Sequence, residues 1–206
     1  MNDDLVTYYD DRASEYEKIY LKSERQEDLQ EATRILQDLF NQKAVFEIAC
    51  GTGYWTERIA ETASSIYATD INESVLSIAK NKRYKNKVTF GLADIYKLES
   101  GKKYDNLFAG FIWSHILLQD LDLFIDKIKD LVENDGTIVI MDNNYVEGSN
   151  HAISKTDERG NTYQTRKLDS GASHLVLKNF STREFIIDKL SRIGVEISYI
   201  KLEYFW

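Results

Sequence analysis

Residues 45–56 read VFEIACGTGYWT, and this stretch decides the fold class of the 206-residue chain. Mostly apolar residues around the acid Glu47 are typical of a buried strand, and they lead directly into Gly51-Thr52-Gly53. Glycine tolerates positive φ and has no side chain, so a turn built on it lets the backbone approach a ligand closely. The stretch therefore predicts a strand, a glycine turn that can hold a nucleotide, and a helix starting at Tyr54.

Two ligand classes fit such a turn: dinucleotides and the adenosyl group of S-adenosylmethionine. A dinucleotide fingerprint needs a third glycine three residues after the second, where this chain has Thr56. Residues 47–53 instead resemble the first motif of class I S-adenosylmethionine-dependent methyltransferases, E/D-x-G-x-G-x-G, with Ala49 where the family more often has glycine. The turn alone leaves an ordinary tight turn between strand and helix as the alternative.

The resemblance implies that S-adenosylmethionine binds at this turn and leaves as S-adenosylhomocysteine. The residues expected around the methionine part of the cofactor are Glu47, Ala49, Cys50, Gly51 and Gly53. Cys50, the single cysteine, is interpreted as a packing or backbone contact, since it has no partner at disulfide or metal-ligand spacing. No metal is expected.

Acids at the ends of the next two predicted strands extend the site. Asp70 ends a strand at residues 65–70, roughly twenty residues after the glycine turn, which is the spacing that presents a carboxylate to a ribose in a βαβ unit. A helix cap is the structural alternative. The resemblance implies that Asp94 accepts from the adenine amino group, with Ile71 and Ile95 on the ring faces. Phe111, at the end of the predicted fourth strand, completes the expected cofactor set.

The N-terminal residues 1–41 are expected to form a helical lid. Tyr9, Asp10, Ala13 and Tyr16 are similar to the Y/F-D-x-x-A-x-x-Y opening that covers the cofactor in the family. That similarity implies contacts from Tyr16 and Arg12 to the methionine end. Tyrosines that merely anchor a surface helix are the alternative reading.

Alternating strands and helices predict an α/β chain with a parallel sheet. The resemblance implies a Rossmann-like class I methyltransferase fold with a seven-stranded, mainly parallel sheet, ordered 3-2-1-4-5 before the late strands, and helices on both faces. One domain, 1–206, is expected, with a cofactor-binding core at 45–142 and a polar insert at 143–173 lining the acceptor site. Strands are expected near 163–168 and 174–178, and a last antiparallel strand at 195–205.

The overall charge limits the partners. A net charge of −8 opposes a broad polyanion-binding surface, so nucleic acid is a disfavoured partner. The sequence has no run of about 18 apolar residues, so no membrane helix is predicted. The acidic N-terminus is not typical of a secretory signal. We therefore expect no membrane partner and a cytoplasmic location, while the sequence leaves the oligomeric state open.

The expected activity is methyl transfer to an oxygen or nitrogen atom of a small molecule. The sulfonium methyl is already activated, so catalysis is mainly positioning, and a base helps only when the acceptor must lose a proton. His115, after the fourth strand, is the candidate base, with an expected pKa near 6.5; a structural histidine is the alternative. A methyltransferase acting on RNA or protein, or a non-catalytic S-adenosylmethionine-binding protein, would share the cofactor half.

Overall fold

A computed structural model describes residues 3–98, 101–194 and 196–206. The α-helices are α1 (Asp3–Arg12), α2 (Gln26–Leu39), α3 (Tyr54–Ile59), α4 (Glu73–Lys80), α5 (Leu121–Asp130) and α6 (Arg183–Leu190). Short 3-10 segments lie at Ala13–Leu21, Ser23–Arg25, Ile95–Lys97, Trp113–His115 and Leu118–Asp120. Within these described ranges, no helix has the length and apolar character needed to cross a bilayer.

Two sheets form. Five strands build the main sheet, namely β1 (Ala44–Ile48), β2 (Ser65–Asp70), β3 (Lys87–Leu92), β4 (Tyr104–Gly110) and β5 (Val132–Met141). Their order is β3-β2-β1-β4-β5 and every pairing is parallel, which confirms the predicted order. The smaller antiparallel sheet consists of β6 (Lys155–Thr156), β7 (Thr162–Lys167) and β8 (Ser173–Leu177). β7 and β8 confirm the strands expected within and after the polar insert.

The main sheet thus has five strands in the described residues instead of the expected seven. The C-terminal segment, whose first residue Val195 lies outside the described residues, pairs only briefly with the residues after β5. These contacts are the Asn143–Phe205 bridge, the Asp142–Trp206 backbone pair and the Asn144 N–H donating to the Tyr204 carbonyl at 2.9 Å. Asn144 gives the physical reason, because its side-chain amide donates to the carbonyls of Leu202 and Phe205 at 2.9 and 2.8 Å. A side chain that bonds to backbone carbonyls competes with the regular partners of a ladder, and the pairing here stops short of a further strand.

Helices cover both faces of the main sheet, as expected. On one face, buried residues of α2, α3 and α4 such as Leu36, Ile59 and Leu76 pack in a single cluster with β1 and β2. On the other face, Phe124 and Ile128 of α5 join Ile186 of α6 against the sheet. β1 is consequently buried between both layers and both neighbouring strands, so the turn that follows it has a rigid base.

That turn uses three left-handed residues. Ala49, Gly51 and Gly53 have φ values of 54°, 55° and 79°. A Cβ on Gly53 would lie 2.6 Å from the Tyr84 hydroxyl and 3.1 Å from the Ala79 Cβ, so this position needs glycine for space as well as conformation. Ala49 carries a Cβ in the same left-handed region, which costs about 1–2 kcal/mol for an L-residue.

The strain at Ala49 predicts that Ala49→Gly stabilises the protein. The free energy of unfolding should rise by up to about 1 kcal/mol, because the relieved strain exceeds the roughly 0.5–1 kcal/mol entropy cost of glycine. Ala68→Gly, in buried β2, is the matched control and should destabilise by about 1 kcal/mol or more through the lost methyl and added entropy. Denaturant unfolding of both variants measures the difference, and equal losses would contradict a strained Ala49.

Candidate functional site

Two adjoining cavities lie where the parallel strands end. The first, here called the strand-end cavity, has about 760 Å³ of empty volume. Seven of the residues expected to touch the cofactor line it: Tyr16, Ala49, Gly51, Asp70, Ile71, Ile95 and Phe111. Open α/β sheets bind ligands at this edge, so the structure brings most of the expected cofactor set together in the expected place.

Asp70 fixes the floor of the strand-end cavity. Its Oδ2 accepts from the Gly51 N–H and its Oδ1 from the Asn72 N–H, both at 2.9 Å. Asn72 occupies the N-cap position of α4, but its side chain donates to the Val6 carbonyl at 3.2 Å and so ties α1 to the strand end. Burial raises the pKa of Asp70 above its ordinary value. Each carboxylate oxygen keeps a second lone pair that can accept from a ligand hydroxyl.

Three residues of the glycine motif that were expected to contact the cofactor lie outside both cavities. Neither Glu47, Cys50 nor Gly53 is among the residues that line either cavity. Glu47 is 2% exposed, and its Oε2 has no hydrogen-bond partner among the described residues. Burial, with a smaller contribution from nearby Asp70, raises the pKa of Glu47 to about 8. Glu47 is therefore mostly neutral at pH 7. It supports the glycine turn and does not offer a charge to a ligand.

Asp94 also lies outside the cavity lining, although the next residue, Ile95, is part of it. The Asp94 carboxylate caps the short segment Ile95–Lys97, with Oδ1 accepting from the Tyr96 N–H at 3.0 Å. Its Oδ2 lies 3.5 Å from the Lys97 ammonium. Asp94 therefore positions Ile95 through the local backbone.

The second cavity, here called the cationic cavity, has about 660 Å³ of empty volume. Arg12, Arg25, Arg166 and Lys178 line it, and no Asp or Glu of the described chain does. Of these four cations, only Lys178 has a described carboxylate within ion-pair distance, with Asp142 Oδ1 at 3.0 Å. A chain with an excess of acids thus encloses a cavity whose charged walls are all positive.

Neutral groups hold the three guanidiniums. Arg25, which is 3% exposed, donates from Nε to the Ser149 hydroxyl at 2.9 Å. The Arg166 Nη2 donates to the Gln164 Oε1 at 2.9 Å. Arg12 lies over the Tyr16 ring, 5.2 Å from its centroid. These contacts orient the cations without neutralising them.

Lys178 belongs to a buried polar network. Its ammonium donates to Ser114 Oγ at 2.6 Å and to Asp142 Oδ1 at 3.0 Å, and Asp142 also accepts from the Ser114 N–H at 2.8 Å. Burial lowers the pKa of Lys178 to about 8, against the opposing attraction of Asp142. The network fixes the residue that follows β8 to the end of β5.

Tyr9, Tyr16, Phe111 and His115 line both cavities and form their shared wall. His115 Nδ1 lies 2.6 Å from the Leu177 carbonyl oxygen, which can only accept, so Nδ1 carries the proton. Its Nε2 therefore accepts from the Tyr9 hydroxyl at 2.6 Å. The imidazole at this wall is neutral and has both ring nitrogens engaged.

The expected pKa near 6.5 for His115 is wrong. Burial, followed by repulsion from Lys178 and Arg166, holds the pKa of His115 well below its ordinary value. Desolvation and neighbouring cations both disfavour the imidazolium, and neither was visible from the position of His115 along the chain.

Most residues that line the cationic cavity come from the expected lid and insert. Arg12 lies in it and not in the strand-end cavity, and His151 lines it as part of the polar insert. Arg25, Arg166 and Lys178 were not among the expected site residues. Lys178 follows the apolar run Leu175-Val176-Leu177, where a lysine is ordinarily exposed, so its burial could not be predicted from the sequence. The two arginines lie in polar stretches where nothing in the sequence distinguishes them.

Comparison with known proteins identifies a domain within the chain. A family model described as a methyltransferase domain matches residues 45–136, which carry β1, the glycine turn and most of the strand-end cavity. Residues 45–136 of this chain therefore form a methyltransferase domain, and the match supports a class I methyltransferase. S-adenosylmethionine is the methyl donor that this family uses, and the resemblance noted in the sequence is confirmed.

Curated relatives carry methyltransferase names. A malonyl-[acyl-carrier protein] O-methyltransferase of Bacillus cytotoxicus is 33% identical over 99 residues, which are 46% of this chain and 33% of that protein. An uncharacterised methyltransferase of Bacillus cytotoxicus is 23% identical over 173 residues, 83% of this chain and 79% of that protein. The match thus spans about a third of the length of the malonyl-[acyl-carrier protein] enzymes.

A solved structure titled "DhpI-SAM-HEP complex" has the same fold. It is 22% identical to this chain, the match covers 94% of this chain and 91% of that one, and the TM-score is 0.76. At this level of identity the likeness concerns the fold. The Rossmann-like class I fold, with a central parallel sheet and flanking helices, is therefore shown by both topology and comparison.

The buried Glu47 predicts a specific pH dependence of stability. Its pKa in the folded protein, about 8, exceeds that in the unfolded chain, so the stability associated with this group is present below about pH 4.5 and lost as pH rises towards 8. Glu47→Gln should remove this loss and become increasingly more stable than wild type between pH 5 and pH 8, by at most about 1.4 kcal/mol per pH unit. Urea unfolding at several pH values measures it.

Glu158→Gln is the matched control, since it removes an exposed carboxylate that forms no ion pair among the described residues. Its stability should follow wild type across the same pH range. A constant difference between Glu47→Gln and wild type from pH 5 to pH 8 would show that the Glu47 carboxyl is not desolvated in solution.

Proposed function

We propose that this protein transfers the methyl group of S-adenosylmethionine to an oxygen or nitrogen atom of a small molecule. The observation that carries the proposal is the wall shared by the two cavities at the strand ends. A donor in the strand-end cavity and an acceptor in the cationic cavity would meet at that wall. Methyl transfer requires only this close, in-line arrangement of the acceptor atom and the S–CH₃ bond.

The cofactor assignments follow from the lining of the strand-end cavity. Asp70 would accept from the ribose hydroxyls, with Ala49 and Gly51 beside the methionine part. Ile71 and Ile95 would flank adenine. The roles of Tyr16 and Phe111 would be to close the cavity at the methyl group, because both also face the acceptor side.

Four residues take revised roles in this proposal. Glu47, Cys50 and Gly53 would shape the glycine turn from outside the cavity, while Arg12 would face the acceptor. Asp94 would reach the adenine amino group through the oxygen that does not accept from Tyr96. The Tyr9 hydroxyl, held by His115, would position the acceptor at the shared wall.

A second candidate acceptor is one carried on a protein. The relatives named malonyl-[acyl-carrier protein] O-methyltransferase motivate it, although their match covers only about a third of their length. Comparing methylation of a free small acid with that of the same acid attached to a carrier protein distinguishes the two. RNA stays disfavoured, because the described cations of the site line a cavity and not an open groove.

Cofactor binding is tested first. Asp70→Asn should weaken S-adenosylmethionine binding at least tenfold, since hydrogen bonds to a charged acceptor contribute about 1.5–3 kcal/mol. Isothermal calorimetry measures the affinity, and circular dichroism checks that the variant is folded. Asp105→Asn, at the exposed amino-terminal end of β4 and so at the opposite edge of the sheet, should bind like wild type. Unchanged affinity in Asp70→Asn would remove Asp70 from the cofactor site.

The role of His115 is tested by its pH profile. His115→Gln should keep turnover within about tenfold of wild type and show no new dependence between pH 6 and pH 8, because the imidazole is neutral throughout that range. Tyr9→Phe should raise the KM for the acceptor by up to about tenfold if Tyr9 and His115 together position the acceptor. A loss of roughly 10²- to 10⁴-fold in kcat with unchanged KM would instead identify His115 as a general base.

A further inference from the structure

We propose that the methyl acceptor is a small oxyanion, a phosphate, phosphonate or carboxylate, bound in the cationic cavity and methylated on its own charged oxygen. This inference rests on the proposed function and names its substrate class. The groups assigned to the anion are Arg12, Arg25, Arg166 and Lys178.

The charge balance of the cationic cavity is the first argument. The whole chain carries a net charge of −8, yet the described walls of this cavity combine four cations with no carboxylate. Asp142 balances Lys178, while Arg12, Arg25 and Arg166 have no described carboxylate within ion-pair distance. Charges removed from water are costly unless they are paired, so unpaired guanidiniums around one space indicate an anionic occupant.

Convergence from distant segments is the second argument. Arg12 ends α1, Arg25 ends the short segment before α2, Arg166 lies in β7, and Lys178 follows β8. The chain places these residues up to 166 positions apart in sequence and on one cavity. A solvated run of surface charge needs no such arrangement.

The way the arginines are held is the third argument. The Ser149 hydroxyl and carbonyl accept from Arg25, and Gln164 and the Tyr8 hydroxyl accept from Arg166, which leaves some N–H groups of each guanidinium available. A planar guanidinium presents its N–H donors in a fixed fork that matches the oxygens of phosphate, phosphonate and carboxylate groups. Orientation by neutral partners thus preserves both the charge and the donors for a ligand.

The chemistry at the shared wall agrees with an anionic nucleophile. A lone pair of the acceptor oxygen forms the new O–CH₃ bond while the S–CH₃ bond breaks and its electron pair stays on sulfur. The sulfonium becomes the neutral thioether of S-adenosylhomocysteine, the acceptor loses one negative charge, and no proton is released. No general base is needed, which fits a His115 whose two nitrogens are bonded to Leu177 and Tyr9.

An electrostatic coupling follows from the same arrangement. The sulfonium of the donor is positive, so the unpaired guanidiniums across the shared wall repel it, and a bound anion offsets that repulsion. The anion should therefore tighten the binding of S-adenosylmethionine more than that of S-adenosylhomocysteine, whose sulfur is neutral. By linkage, the donor tightens the anion by the same factor.

Binding is tested by calorimetry with four probes: methylphosphonate, inorganic phosphate, malonate and acetate. We expect at least one probe to bind the protein loaded with S-adenosylhomocysteine. Arg166→Gln should weaken the binding of that probe at least tenfold, because a charged hydrogen-bond donor is lost. Arg159→Gln is the matched control, because Arg159 is exposed and outside both cavities, and should leave the affinity unchanged. If Arg166→Gln does not fold, Arg12→Gln replaces it with the same expectation.

Methyl transfer is tested with S-adenosylmethionine carrying a deuterated methyl group and mass spectrometry of the products. A methyl phosphonate or phosphate ester assigns the acceptor to phosphorus oxyacids, and a methyl carboxylate ester assigns it to carboxylates. Failure of all four probes to bind, or binding that Arg166→Gln and Arg12→Gln leave unchanged, overturns the inference. Methylation of neutral alcohols or amines, at rates that Arg166→Gln does not lower, also overturns it and leaves the proposed function standing. Absence of S-adenosylmethionine binding would instead overturn the proposed function.

Discussion

The hydrogen bond from the Gly51 N–H to the Asp70 carboxylate is the contact on which the site depends. It joins the turn after β1 to the end of β2, and the same carboxylate also holds the backbone at the start of α4 through Asn72. One buried acid thereby ties together the turn after β1, the end of β2 and the start of α4. Since Asn72 in turn holds Val6 of α1, the position of the N-terminal segment over the cavity is derived from this contact as well.

The distribution of charge explains how an acidic protein can offer a site for an anion. Net charge describes the long-range field, which water and salt screen over about 10 Å. Within a cavity the nearest groups dominate, and here those are guanidiniums oriented by a serine and an amide. The acids that make the chain negative lie mostly on exposed helices, for example Glu31 and Asp38 of α2, which pair with Arg34.

Sequence patterns predicted the residues of the strand-end cavity that follow successive strands. The glycine turn, Asp70 and Ile95 follow successive strands of one parallel sheet, so their order along the chain fixed their meeting at one edge. Arg25 and Lys178 could not be predicted in this way, because they meet only through tertiary packing. The strand expected at 195–205 did not form for a related reason. Its pattern allowed pairing, but the Asn144 side chain competes for the carbonyls of Leu202 and Phe205.

The N-terminal segment is fastened on both sides of the shared wall. Glu17 accepts from the Thr52 hydroxyl at 2.7 Å beside the glycine turn, and Lys18 pairs with Asp169 after β7. Tyr9 and Tyr16, from the same segment, line both cavities. One segment therefore covers both cavities, so a substitution that displaces it would alter the donor site and the acceptor site together.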